Sequence, residues 1–170
     1  MTLQEYCDTL PKAKQYELAV TLAWKALPVW TKYSDQHQFQ LPNRDPIVTM
    51  IHRLPKKLLK DVIHEVEHWL STSALSRVLR DNTRLLELYA YFDDPVMALQ
   101  RDDWKLPEPV EKVFYAVYNL LGSVVDKEIA TSGESIIYIS INQSIDSMLK
   151  SKSVKDTKIV KILEQIKKRH

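Results

Sequence analysis

Two glycines among 170 residues are the strongest single constraint on this chain. Average usage is about 7%, and domains built from β-hairpins draw on glycine for tight turns and bulges. Scarcity on this scale therefore points to helices. The 8 prolines agree with that reading through their placement. Pro11, Pro42, Pro46, Pro55, Pro95, Pro107 and Pro109 stand where a helical pattern wants a boundary. Pro28 alone falls inside an apolar-periodic run, and a kink or a break is expected there. The fold expected is all-α: one domain spanning residues 1–170, a bundle of about seven to nine helices, long enough to bury a core without disulfides.

Apolar spacing places the elements. Leu18, Leu22, Trp24, Ala26 and Val29 suit a helix over about residues 12–33, followed by the polar loop SDQHQFQLPNRD. Asp45 and Pro46 read as the cap and first turn of a short helix that ends before Pro55. Beyond Ser71, Leu75, Val78 and Leu79, then Leu85, Leu86, Leu88, Tyr89 and Phe92, are core candidates. A helix from about Pro109 to Val125 is apolar nearly all round and belongs at the centre of the bundle. The run IIYISI alternates like a strand, yet Ile137, Ile141, Ile145 and Met148 recur like a helix. A lone strand has nothing to pair with, so a helix is predicted.

Residues 64–68, HEVEH, spell the H-E-x-x-H pattern of zinc peptidases, in which two imidazoles one turn apart share a metal and the glutamate acts as base. The helix carrying them, about Lys56 to Leu70, has its apolar stripe at Leu58, Leu59, Val62, Ile63, Val66, Trp69 and Leu70. At 100° per residue, His64 and His68 fall roughly 170° and 210° from the centre of that stripe, beside Lys57, Lys60 and Asp61. Both histidines are expected in solvent. Zincin helices keep the residues inside the motif uncharged, whereas Glu67 occupies one of them here. Where a metzincin continues to Gly and His, this chain has Ser71 and Ala74. Glu87 lies near the distance at which a gluzincin supplies its third ligand, but the sheet that both clans use to hold substrate is missing from the pattern. A zinc hydrolase through His64, Glu65 and His68 is thus the remote alternative. The reading preferred is a solvated helix face, with no catalytic residue, metal or cofactor.

The segment YFDDPVMALQRDDWKLPEPVEK is the most acidic part of the chain, with Asp93, Asp94, Asp102, Asp103, Glu108 and Glu111 around a short helix capped by Asp94 and started by Pro95. Carboxylates at helix starts meet unpaired amides and the helix dipole. With Tyr91, Phe92 and Trp104 beside them they also suit a protein-binding surface, in which aromatics anchor and carboxylates steer. The candidate partner-binding set is Asp93, Asp94, Asp102, Asp103, Trp104 and Glu108.

The net charge of +2 is unevenly spread: residues 150–170 hold eight Lys or Arg against Asp156 and Glu164, a balance of +6, which leaves −4 for the rest. A basic amphipathic helix over about 153–169 places Ile159, Ile162, Leu163 and Ile166 on one side and Lys155, Lys158, Lys161 and Lys168 on the other. Such a helix either lies on nucleic-acid phosphates or a membrane, or docks its isoleucines on the body. The tail lacks the interleaved aromatics and arginine clusters of nucleic-acid binders, so docking is expected, and a nucleic-acid-binding or regulatory helical protein that uses this helix is the alternative function. Cys7, the one cysteine, reads as a small core hydrophobe. The first residues carry no secretory pattern and no run is long enough to span a membrane, so a cytoplasmic protein is expected.

The stretch ELAVTLAWKALPVWTKYSDQ, its loop, and NRDPIVTMIHRL resemble the opening of helical immunity proteins of bacterial polymorphic toxin systems. In those proteins a helix ending in L-P-hydrophobic-aromatic precedes an acidic loop and an R-x-P-like helix start. The corresponding positions are Leu27, Pro28, Val29 and Trp30, then Arg44, Asp45 and Pro46. The resemblance covers about forty of the 170 residues. It implies a non-enzymatic cytosolic protein that binds and neutralises one cognate toxin, which for an acidic surface would be a basic toxin domain.

Overall fold

The computed structural model describes residues 2–37, 56–72, 82–125 and 135–168, and these are largely helical, with no strand among them. The elements are α1 (Leu3–Asp8), α2 (Lys12–Ser34), α3 (Leu58–Ser71), α4 (Thr83–Ala90), α5 (Asp93–Gln100), α6 (Glu108–Val125), α7 (Ile136–Lys150) and α8 (Asp156–Lys168). The expected helix start at Asp45 and Pro46, and the core candidates Leu75, Val78 and Leu79, lie outside the described residues.

Local chemistry explains several boundaries. At α1 the Thr2 hydroxyl accepts the Glu5 amide at 3.2 Å while the Glu5 carboxylate accepts the Thr2 amide at 2.6 Å, a reciprocal cap. Helix α7 is continuous through IIYISI and buries Ile137, Ile141, Ile145 and Met148, the helical period rather than the alternating one. Two helices end without glycine in the same six-residue geometry. After α5, the Asp102 amide donates to the Leu99 carbonyl at 3.2 Å and the Asp103 amide to Ala98 at 2.9 Å, with Asp102 left-handed at φ 58°. After α7, the Lys152 amide donates to Leu149 at 3.0 Å and the Ser153 amide to Met148 at 3.1 Å, with Lys152 at φ 56°. These are Schellman turns whose left-handed position, ordinarily glycine, is filled by side-chain-bearing residues.

Several expectations require correction. Of the kink or break expected at Pro28, the break does not occur: α2 runs on to Ser34, because its buried face on either side of the proline, Ala26, Leu27 and Trp30, holds the chain in register. Helix α5 begins at Asp93, so Asp94 is in its first turn rather than its cap, and Phe92 is the cap residue. Pro95 is then the third helical residue, where the absent N–H is one the helix would have left without an internal partner anyway. Leu86, expected in the core, is 46% exposed. The basic C-terminal helix starts at Asp156, not Ser153, since Lys152 and Ser153 are spent on closing α7.

Helix α6 is the hub. It packs against α2, α3, α4 and α7, and its Val113, Phe114, Ala116, Val117, Leu120 and Leu121 are fully buried. The α6–α7 contact is close because small residues face it: the Ser140 hydroxyl donates to the Ala116 carbonyl and the Ser147 hydroxyl to Pro109, each at 2.7 Å. Around Phe114 gather Trp30 (ring centroids 5.8 Å), Phe92 (5.1 Å), Trp104 (5.7 Å, edge-on) and Tyr115 (5.8 Å). Offset and edge-to-face pairs of this kind add about 0.5–1.5 kcal/mol each beyond the area they bury.

Helix α8 docks as its pattern required. Ile159, Ile162 and Ile166 are buried, Leu163 is half-buried, and the Tyr6 hydroxyl donates to the Leu163 carbonyl at 2.5 Å. Lys155, Lys158, Lys161 and Lys168 remain exposed. No described helix is long and apolar enough to cross a membrane.

Candidate functional site

The HEVEH face lies on α3 opposite a stripe, Leu58, Leu59, Val62, Ile63 and Val66, that is at most 1% exposed. His64 and His68 are exposed, as helical phase predicted. Glu67 acts locally, since its carboxylate accepts the Trp24 indole N–H at 3.1 Å and so ties α3 to α2. Glu87 is exposed and pairs with Arg84 at 3.4 Å. Among the described residues, no group of three or more His, Cys, Asp or Glu is gathered closely enough to hold a metal ion. Cys7 is 2% exposed, and burial, reinforced by the Asp8 carboxylate, pushes its thiol up to about 11, far from the thiolate a nucleophile needs.

The five acidic candidates separate into three groups. Asp93 and Asp94 are exposed at the start of α5, where the helix dipole favours them. Asp102 and Asp103 are exposed in its closing turn, about 12 Å away along the axis. Glu108 begins α6 and forms an ion pair with Lys150 at the end of α7. The hydrogen bond from that ammonium holds the Glu108 carboxyl below its ordinary value of 4.5 and raises Lys150 above 10.5. Trp104 is only partly exposed, with its ring edge-on against Phe114. Of the other two flanking aromatics, Phe92 is fully buried and Tyr91 is 51% exposed.

Tyr91 is exposed as an anchoring aromatic would be, whereas residue reasoning missed the exposure of Leu86 and Met97 in the same stretch. Leu86 (46%), Tyr91 (51%) and Met97 (41%) are three of the four large apolar side chains most exposed among the described residues; Val160 on α8 is the fourth. All three lie within 86–97, on α4, α5 and the turn between them. The available signal was the shortness of both helices: eight residues bury one narrow stripe, here Leu85 and Leu88 on α4 and Val96 and Leu99 on α5, and any apolar residue off that stripe is left outside.

No family model matches the chain, and neither a curated protein nor a solved structure matches it.

Proposed function

We propose that this protein is a non-enzymatic protein-binding module of the cytoplasm that meets a basic protein partner through the α4–α5 corner. In its most specific form it is an immunity protein that binds and neutralises a cognate bacterial toxin. The observation that carries the reading is that exposed Leu86, Tyr91 and Met97 fall in the same short stretch, residues 86–97, as exposed Asp93 and Asp94. Exposed apolar side chains rimmed by charge are the composition of recognition surfaces, in which the apolar groups supply affinity and the carboxylates guide approach. The toxin-neutralising form rests on the resemblance of residues 17–54 to helical immunity proteins; within that stretch Leu27 and Trp30 are core residues and Pro28 is exposed.

The test is capture of partners from the native lysate by the tagged chain, with and without nuclease, alongside a Tyr91→Asp, Met97→Asp variant. One stoichiometric, basic protein that survives nuclease and is lost from the variant is the expected outcome, and a toxin in that position identifies the immunity role. Recovery that needs nucleic acid, or a partner held equally by the variant, sinks the reading.

A further inference from the structure

Pro28 breaks a local rule. A proline in a helix interior withholds the N–H that the carbonyl four residues earlier, here Trp24, would accept, and its ring crowds that carbonyl. Pro28 is exposed, so the core gains nothing from it. Local rules broken without a packing return concentrate at functional sites.

Pro28 forms part of a cleft of about 440 Å³. Pro28, Val29, Lys32 and Tyr33 recur along one face of α2 and, with Gln36 in the turn just past its end, make the first wall. Pro107, Pro109 and Val110, at the start of α6, make the second. Ser151 and Ser153 close the end from the turn that Lys152 holds in its left-handed conformation. The volume falls in the roughly 300–1,000 Å³ range of small-molecule sites, as does the composition, apolar walls with a few polar groups.

The polar groups define the ligand. Lys32 is the one charged residue among the described residues lining the cleft. Glu108, next to the second wall, is engaged by Lys150. The Ser153 hydroxyl donates to the Met148 carbonyl at 3.2 Å, and the Ser151 hydroxyl is taken up by the same carbonyl at 3.1 Å and by the Ser153 hydroxyl oxygen at 2.9 Å. The donors left for a ligand are the Lys32 ammonium and, one turn on, the Gln36 amide, beside the positive end of α6. Rigid proline and tyrosine surfaces lose little entropy when they close on an apolar body.

We infer that this cleft binds a small apolar monocarboxylate, its hydrocarbon or aromatic body between the proline walls and its carboxylate on Lys32 and Gln36. The site is separate from the α4–α5 corner, and neither reading depends on the other.

The test is titration of the ¹⁵N-labelled full-length protein with 4-phenylbutyrate, followed by amide NMR. Saturable shifts confined to Val29, Lys32, Tyr33, Gln36, Val110 and Ser151 are expected. The neutral analogue 4-phenylbutanol should bind at least about fivefold more weakly, and Lys32→Glu should weaken the carboxylate about tenfold or more. Lys32 is exposed, so the variant keeps its fold, which its own spectrum checks. Shifts that do not saturate by about 10 mM, equal binding of acid and alcohol, shifts shared with Leu86, Tyr91 and Met97, or unchanged affinity of Lys32→Glu would each overturn the inference.

Discussion

Helices α3 and α5 carry the two most suggestive runs of polar residues in the chain, and burial treats them in opposite ways. On α3 the large apolar residues turn inward or lie half-buried, leaving His64, Glu67, His68, Lys60 and Asp61 outside. Around α5, Tyr91 and Met97 stay in water beside Asp93 and Asp94. The polar letters alone make α3 look the more functional. The difference lies in the apolar residues: a helix that hides all of them has only solvation to offer on its outer face, whereas one that leaves them exposed has affinity to give.

Four measurements test the difference between the two helices. The largest effect belongs to the inner face of α3: Ile63→Ala should cost about 2–5 kcal/mol in chemical denaturation, while Met97→Ala stays within about 0.5 kcal/mol of wild type. Similar losses at both positions would erase the distinction. Next is association: reversing Asp93 and Asp94 to Lys should slow the on-rate for a basic partner about tenfold at low salt, an effect that fades as salt rises. Replacing His64 and His68 with Ala should leave that rate unchanged, and the reverse ranking would restore the histidine face as the site. Smaller is Asp102→Gly, which relieves the left-handed strain and should gain up to about 1 kcal/mol; a loss would mean that the Asp102 carboxylate contributes more than the turn.

The smallest effect concerns the Glu108–Lys150 pair, read by melting temperature against pH. Glu108 ionises more readily in the folded chain, so its contribution is present above 4.5 and falls away as pH drops through the lowered value. Lys150, raised when folded, contributes below 10.5 and loses that contribution as pH climbs further. Glu108→Gln should flatten the acid limb slightly; an unchanged profile would return Glu108 to the exposed acidic surface alongside Asp93 and Asp94.

Legibility follows the length of the pattern. Helices α3 and α6 are readable because each offers several turns of apolar repeat, and the phase of α3 is enough to put His64 and His68 outside; the run that opens α7 fits both periods, and only the want of a partner strand favours the helix. The short helices are less legible. Asp94 reads as a cap and Leu86 as core because an eight-residue element gives too few repeats to fix its rotation. Glu67 and Glu108 look like surface acids, and their partners, Trp24 and Lys150, lie 43 and 42 residues away along the chain.

What can be read within single segments is that the chain is helical, which face of α3 is buried, that Cys7 suits the core and that docking through isoleucines is the favoured fate of the basic tail. Each of these follows from glycine supply and from periodicity, which act over one or two turns. What depends on the meeting of distant segments is that α2 continues through Pro28, that Pro28 shares a cleft with Pro107 and Pro109, and that Leu86 and Met97 remain outside. Those outcomes depend on which distant surfaces meet and how much area each helix has left to cover, and that information lies between segments rather than within any one of them.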